Sequence, residues 1–135
     1  MLRPMAFHCV IVTPEQQILD ERVQQVILPA HDGEMGVLTD RAPVLIKLGI
    51  GRLRVDIASG KTASFYVEGG VAQMRDNKLT ILTDSAIPVD QLTAAGAKAE
   101  LDAATGRSVE GAQAVADRKK AIERARVKQR LASAR

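Results

Sequence analysis

The side chains able to do chemistry are few, and their spacing does not assemble a catalytic group. His8 lies inside the apolar run Phe7 to Val12 and His31 in a turn-forming segment, and neither has the cysteine neighbours or HExxH spacing that a metal site requires. The single cysteine, Cys9, has no partner for an internal disulfide and reads as a buried core residue of the same run. Gly49-Ile50-Gly51 opens like a dinucleotide fingerprint, but Arg54 stands at the third glycine position and no helix follows. A GxxxxGK[ST] phosphate loop is missing, as is any nucleophile set beside a base. No metal, no cofactor and no catalytic residue is expected, which leaves charge as the main chemical resource.

That charge is unevenly distributed. The chain carries +3 overall, yet from Arg107 onward nine basic side chains face only three acidic ones, so the tail holds +6 and the preceding body −3. A basic end on an acidic body predicts an acidic partner for the tail. Its cations cluster as Arg118, Lys119, Lys120, Arg124, Arg126, Lys128 and Arg130. On these residues alone the tail also suits a nucleic-acid adaptor gripping phosphates, although it has no aromatic side chain to stack on bases. A small enzyme on the same scaffold is a third reading, weakened by the missing acid, base and nucleophile.

The elements that hold these residues fall into two classes. With 135 residues there is room for one ordinary domain and an appendage, and an aromatic share of 2% leaves Val, Ile, Leu and Ala to build the core. No run approaches the roughly 20 apolar residues of a spanning helix, and the start lacks a signal-peptide core, so a cytoplasmic protein is expected. Met1 and Met5 are both eligible starts, because Leu2, Arg3 and Pro4 add nothing to the strand that follows. Strands are expected at Phe7 to Thr13, at Arg22 to Leu28 ending before Pro29, and at Gly51 to Ile57, where Leu53, Val55 and Ile57 alternate with Arg52, Arg54 and Asp56. Turn chemistry at Ala58 to Lys61 precedes Thr62 to Glu68. Gly69-Gly70 is expected to break that run ahead of Val71 to Arg75, and Asp76-Asn77-Lys78 to reverse the chain into Leu79 to Asp84. After Pro88 alanine dominates. Asp90 is the expected cap of a first helix to Thr105, Gly106 its stop, and Ser108 the cap of a second helix. The reading is a β-sandwich over 1–87 followed by an antiparallel α-helical hairpin over 88–135.

The segment from Pro29 to Pro43, PAHDGEMGVLTDRAP, reads physically as a loop punctuated by Gly33 and Gly36 and bracketed by prolines. Its pattern PxxDGExGVLxxRAP resembles the signature of the epsilon subunit family of bacterial F-type ATP synthases, equivalent to the mitochondrial delta subunit. Thr13 to Gln17, Phe65 to Gly70 and Leu79 to Ala86 resemble further family segments in order and spacing, so the likeness runs over nearly the whole chain from Phe7. The resemblance implies a non-catalytic rotor subunit. Its sandwich would dock on the γ subunit and bear on the c-ring, and its hairpin would restrain ATP hydrolysis through the α and β subunits. It also implies a peripheral position on the cytoplasmic face of the bacterial inner membrane, reaching the membrane only through the complex and binding no nucleic acid. By position, Glu34 and Arg41 match loop sites facing the polar loops of c, as a charged pair that would give orientation more than buried area.

Some members of that family bind ATP through an aliphatic residue, Asp, two free positions, Arg and Ala. Here the stretch is Val89-Asp90-Gln91-Leu92-Thr93-Ala94, so Asp90 and Ala94 match while Thr93 stands at the arginine. Asp84 supplies an acidic group upstream, and Arg126 and Arg130 match basic positions on the second helix. Threonine cannot replace a bidentate guanidinium on phosphate, so ATP binding is expected to be weak or absent. The hairpin is expected to be mobile, because Ala114, Ala121, Ala125 and Ala132 bury only methyls, together worth roughly 3 kcal/mol before ordering costs. Gly96 and Gly111, read as helix-interior residues, each subtract about 1 kcal/mol more.

Overall fold

The computed structural model describes residues 6–133; Met1 to Met5, and with them the choice of start, lie outside the described residues, as do Ala134 and Arg135. The chain divides into two compact units, one reaching Ala86 and the other beginning at Ile87.

The first unit is built from β1 (Phe7–Val12), β2 (Gln17–Ala30), β3 (Gly33–Leu38), β4 (Val44–Ile57), β5 (Thr62–Arg75) and β6 (Lys78–Leu82), and the short β7 (Ala86–Pro88) falls at the division between the units. Its ladder runs β1–β6–β5–β4–β2, β1 also pairs β2, and β3 hangs outside on β2. That extra pairing closes the strands on themselves into two layers, which removes most open edges. Alternation places Phe7, Cys9, Ile11, Val23, Val26, Leu53, Val55, Leu79 and Ile81 fully inside. The expected alternation in β4 is borne out: Leu53 and Val55 are buried while Arg52 and Arg54 are exposed.

Several boundaries differ from the sequence expectation, each because a long-range pairing overrides a local signal. β2 does not stop at Pro29. Pro29 sits inside it opposite Glu34, where the ladder to β4 jumps from Ile27 to Ala30, so its missing N–H interrupts nothing. The glycine pair does not end a strand either: β5 continues through Gly69 (φ 67) and Gly70 (φ 106), and its pairing to β4 skips Gly69 and resumes at Gly70 opposite Leu48. A Cβ at Gly70 would stand 2.0 Å from the carbonyl oxygen of Leu82, so glycine lets the neighbouring backbone approach. The Pro29 to Pro43 segment is half strand rather than loop, since Gly33–Leu38 pairs β2, and only Gly33 of its two glycines has positive φ. β4 begins at Val44, well before Gly51. Asp76 and Asn77 (φ 52 and 57) make the expected reversal as a two-residue turn, and Lys78 already belongs to β6.

The second unit comprises a 3-10 turn (Val89–Gln91), α1 (Ala94–Thr105) and α2 (Ala112–Ser133). The helices are antiparallel: Lys128 near the end of α2 donates to Glu100 Oε1 at 3.0 Å, and Arg118 near its start donates to the Thr105 carbonyl at 3.1 and 3.3 Å. Ala97 and Ala104 of α1 and Ala121, Ala125, Val127 and Leu131 of α2 are buried, while Ala114 and Ala132 are half-buried.

Both expected caps are replaced. Asp90 lies in the 3-10 turn, and Thr93 caps α1 by accepting the Gly96 N–H at 3.0 Å. Ser108 accepts from the Glu110 N–H instead of capping α2. That helix opens after Gly111, whose carbonyl accepts from Val115 at 3.1 Å. Gly111 (φ 90) therefore precedes the helix, and its expected helix-interior penalty does not apply. Gly106 ends α1 as expected, with its N–H returned to Asp102.

Candidate functional site

The β2–β3–β4 arm carries two of the residues singled out by sequence. Glu34 is exposed beside the β2–β3 turn, next to an open depression of about 450 Å³ lined in part by His31, Asp32, Met35 and Lys47. Arg41 is exposed in the β3–β4 connection. Met35 to Asp40 lie between them in the chain, the first four of these residues in β3 and the last two in the turn that follows it. The connection holding Arg41 is tied down at Asp40: its N–H donates to Asn77 Oδ1 at 2.7 Å, and Asn77 Nδ2 donates back to Asp40 Oδ1 at 3.0 Å.

The outer face of one layer was not anticipated as a site. Leu45 (69% exposed), Val71 and Leu82 (50%) lie open to solvent, with Val10 and Val12 half-buried alongside. The signal was present in the sequence. Leu82 faces away from Leu79 and Ile81, and an apolar residue at a solvent-side strand position breaks the inside-outside rule. Contiguous exposed apolar surface marks an interaction site.

On α2 the seven cations do not share one face. Arg118 and Lys128 are engaged with α1, Arg124 is half-buried, and Lys119, Lys120, Arg126 and Arg130 are exposed. Lys119, Arg126 and Arg130 fall at i, i+7 and i+11, which aligns them along one stripe. Of the residues matched to the ATP motif, Asp84 belongs to the first unit, whereas Asp90, Ala94, Arg126 and Arg130 belong to the second. Thr93, at the arginine position, is committed to capping α1.

His8, Asp20 and Cys9 belong to the strand framework. His8 hydrogen-bonds Asp20 across β1 and β2, and that bond above all holds the Asp20 carboxyl below its ordinary value. Burial, and next the nearby Asp20 charge, push the Cys9 thiol up to about 12. Among the described residues no cluster of three or more His, Cys, Asp or Glu side chains could hold a metal, and no helix is long and apolar enough to cross a membrane.

Residues 6–89 match the family model for the ATP synthase delta/epsilon chain β-sandwich domain. An ATP synthase epsilon chain of Rhodopirellula baltica is 47% identical over 88 residues, 65% of this chain and 68% of that one. One of Nitratidesulfovibrio vulgaris is 39% identical over 129 residues, 91% of this chain and 96% of its relative. Among solved structures, a chain of the Euglena gracilis mitochondrial ATP synthase (OSCP/F1/c-ring) superposes with a TM-score of 0.83 at 21% identity, covering 100% of this chain and 84% of that one. A chain of the Tetrahymena thermophila central stalk/c-ring gives 0.73 at 13% identity, covering 93% and 95%. With a sandwich matched over residues 6–89 and a relative 39% identical across 91% of the chain, the chain belongs to the ATP synthase delta/epsilon family.

Proposed function

We propose that this chain is a non-catalytic central-stalk subunit of a proton-translocating F-type ATP synthase, peripheral on the cytoplasmic face of the bacterial inner membrane. The observation that carries the reading is the open apolar face of Leu45, Val71 and Leu82, flanked by Val10 and Val12. A sheet face of this kind is suited to a permanent partner, and within this family that partner is the γ subunit. The c-ring contact is assigned to Glu34 at the β2–β3 end of the arm. Arg41, exposed in the β3–β4 connection, is assigned to the same contact.

The hairpin is the regulatory element. Extended beside γ, α2 would hold acidic loops of the α and β subunits through Lys119, Lys120, Arg126 and Arg130, and so restrain ATP hydrolysis. Exposed ion pairs are worth about 0.2 to 1 kcal/mol each, so three of them shift a packed-to-extended equilibrium by about 0.6 to 3 kcal/mol, roughly three-fold to a hundred-fold or more. Shallow packing through Ala97, Ala104, Ala121 and Ala125 supports an equilibrium that a partner can move. ATP binding to the hairpin is weak or absent, because Thr93 offers no guanidinium and its oxygen already accepts the Gly96 N–H.

The test replaces Lys119, Arg126 and Arg130 with alanine in the reconstituted complex. The ATPase rate should rise several-fold while γ remains bound. An unchanged rate, in a complex that removal of both helices does activate, sinks the assignment of these charges as the grip.

A further inference from the structure

Strand register organises the open sheet face into three rows. Lys47, Val71, Leu82 and Val12 stand opposite one another across β4, β5, β6 and β1. Leu45, Gln73, Thr80, Val10 and Asp20 form the next row, two residues along each strand, and it reaches β2. In the third row Arg75 faces Lys78, Lys78 faces His8, and His8 faces Arg22. Residues two apart along a strand share a face, so all three rows look outward together.

Like charges directly opposite on neighbouring strands are destabilising, yet here Arg75 and Lys78 are such a pair, with Arg22 one strand beyond His8. The row has partial relief from Asp76, 3.5 Å from Arg75, and from Asp20 on His8. Even so, Lys47, Arg22, Arg75 and Lys78 outnumber those two carboxylates, although the residues before Arg107 carry −3 in all. Positive charge is therefore concentrated on this face, with Arg22, Arg75 and Lys78 along one edge of its apolar part and Lys47 in the first row, against the sign of the body. All four cations are exposed.

We infer that the γ surface covering this face presents an acidic edge to Arg22, Arg75 and Lys78 beside its apolar patch, and that the basic row sets the orientation in which the two subunits dock. This rests on the docking reading above. An apolar centre supplies contact area that is nearly indifferent to rotation in the plane. A charged border on one side breaks that indifference, steers the encounter and penalises reversed placements through like-charge contact.

The experiment measures association of the full chain with a γ-containing core complex lacking this subunit, at low and high salt. Wild type should associate more slowly as salt rises. Arg22→Glu/Arg75→Glu/Lys78→Glu should associate roughly ten-fold or more slowly at low salt and accelerate as salt rises. The neutral triple glutamine variant should fall between them with little salt dependence, and the unfolding midpoint of each variant checks that the sandwich is intact. Val71→Asp and Leu82→Asp should instead raise the dissociation rate. If these aspartates weaken binding while the charge variants behave as wild type, the inference fails and the docking reading stands. If neither set changes binding, both fail. If the charge variants lose only binding to phosphatidylglycerol vesicles and associate normally with the complex, the row faces lipid and the inference is overturned.

Discussion

Removing the Asn77 side chain tests whether the Asp40–Asn77 bridge holds the β3–β4 connection against the β5–β6 turn. Both residues sit in the left-handed region, at φ 60 and 57, where Asp and Asn are tolerated and most other side chains cost about 1 kcal/mol or more. Asn77→Ala deletes two exposed hydrogen bonds, of 2.7 and 3.0 Å, worth about 0.5 to 1 kcal/mol each, and adds the left-handed cost of an alanine. The expected loss is about 2 to 3 kcal/mol, or on the order of 10 to 20 °C in Tm for a domain of this size. Asn77→Gly deletes the same bonds without the steric cost and should lose only about 1 to 2 kcal/mol. The single change Asn77→Asp sets two carboxylates against each other and should recover stability as pH falls. The exchange Asp40→Asn/Asn77→Asp restores the amide-carboxylate bridge and should return most of the stability at neutral pH. Thermal and urea unfolding followed by circular dichroism measure all four. Equal losses for alanine and glycine, or no recovery in the exchange, would refute the reasoning.

Three further outcomes are expected. Gly70→Ala should cost more than about 4 kcal/mol in urea unfolding, because its Cβ meets the Leu82 carbonyl at 2.0 Å with φ at 106. Gly60→Ala, with φ 102 and nothing within 4 Å, should cost only about 1 to 2 kcal/mol, and similar losses for the two would remove steric approach as the reason for Gly70. Calorimetric titration of ATP into the full chain should give no micromolar affinity, and Thr93→Arg should cost helix stability through the lost cap of about 1 kcal/mol. Cys9, buried with its thiol pushed up to about 12, should resist iodoacetamide at mildly alkaline pH in the folded protein and react once urea unfolds it; rapid alkylation of the native chain contradicts that burial.

The sequence by itself determined the class of each half and most of its elements. Alternation in Leu53, Val55 and Ile57 marks a half-buried strand within a span of a few residues, and Asp76-Asn77 is a turn on its own chemistry. Alanine dominance after Pro88 likewise suffices for helices. What only the tertiary structure decided is wherever a local signal met a partner distant in sequence. Pro29 stays in a strand because β4 makes no demand on its N–H, and Gly69-Gly70 interrupts β5 without ending it because β4 pairs it on both sides of Gly69 and β6 needs the space at Gly70. Asp90 and Thr93 are both competent caps, and the choice fell to Thr93 because Val89–Gln91 closes as a 3-10 turn first. Ser108 lost to Gly111 because only glycine reaches φ 90 at no steric cost before Ala112. Glu34 and Arg41 look like members of one loop, but Glu34 lies in β3 and Arg41 in the connection after it. The basic row of Arg75, Lys78, His8 and Arg22 is scattered over the sequence and becomes a feature only through register. A period or a turn is written in a few adjacent residues, whereas a face is written in hydrogen bonds between strands that the chain brings together only on folding.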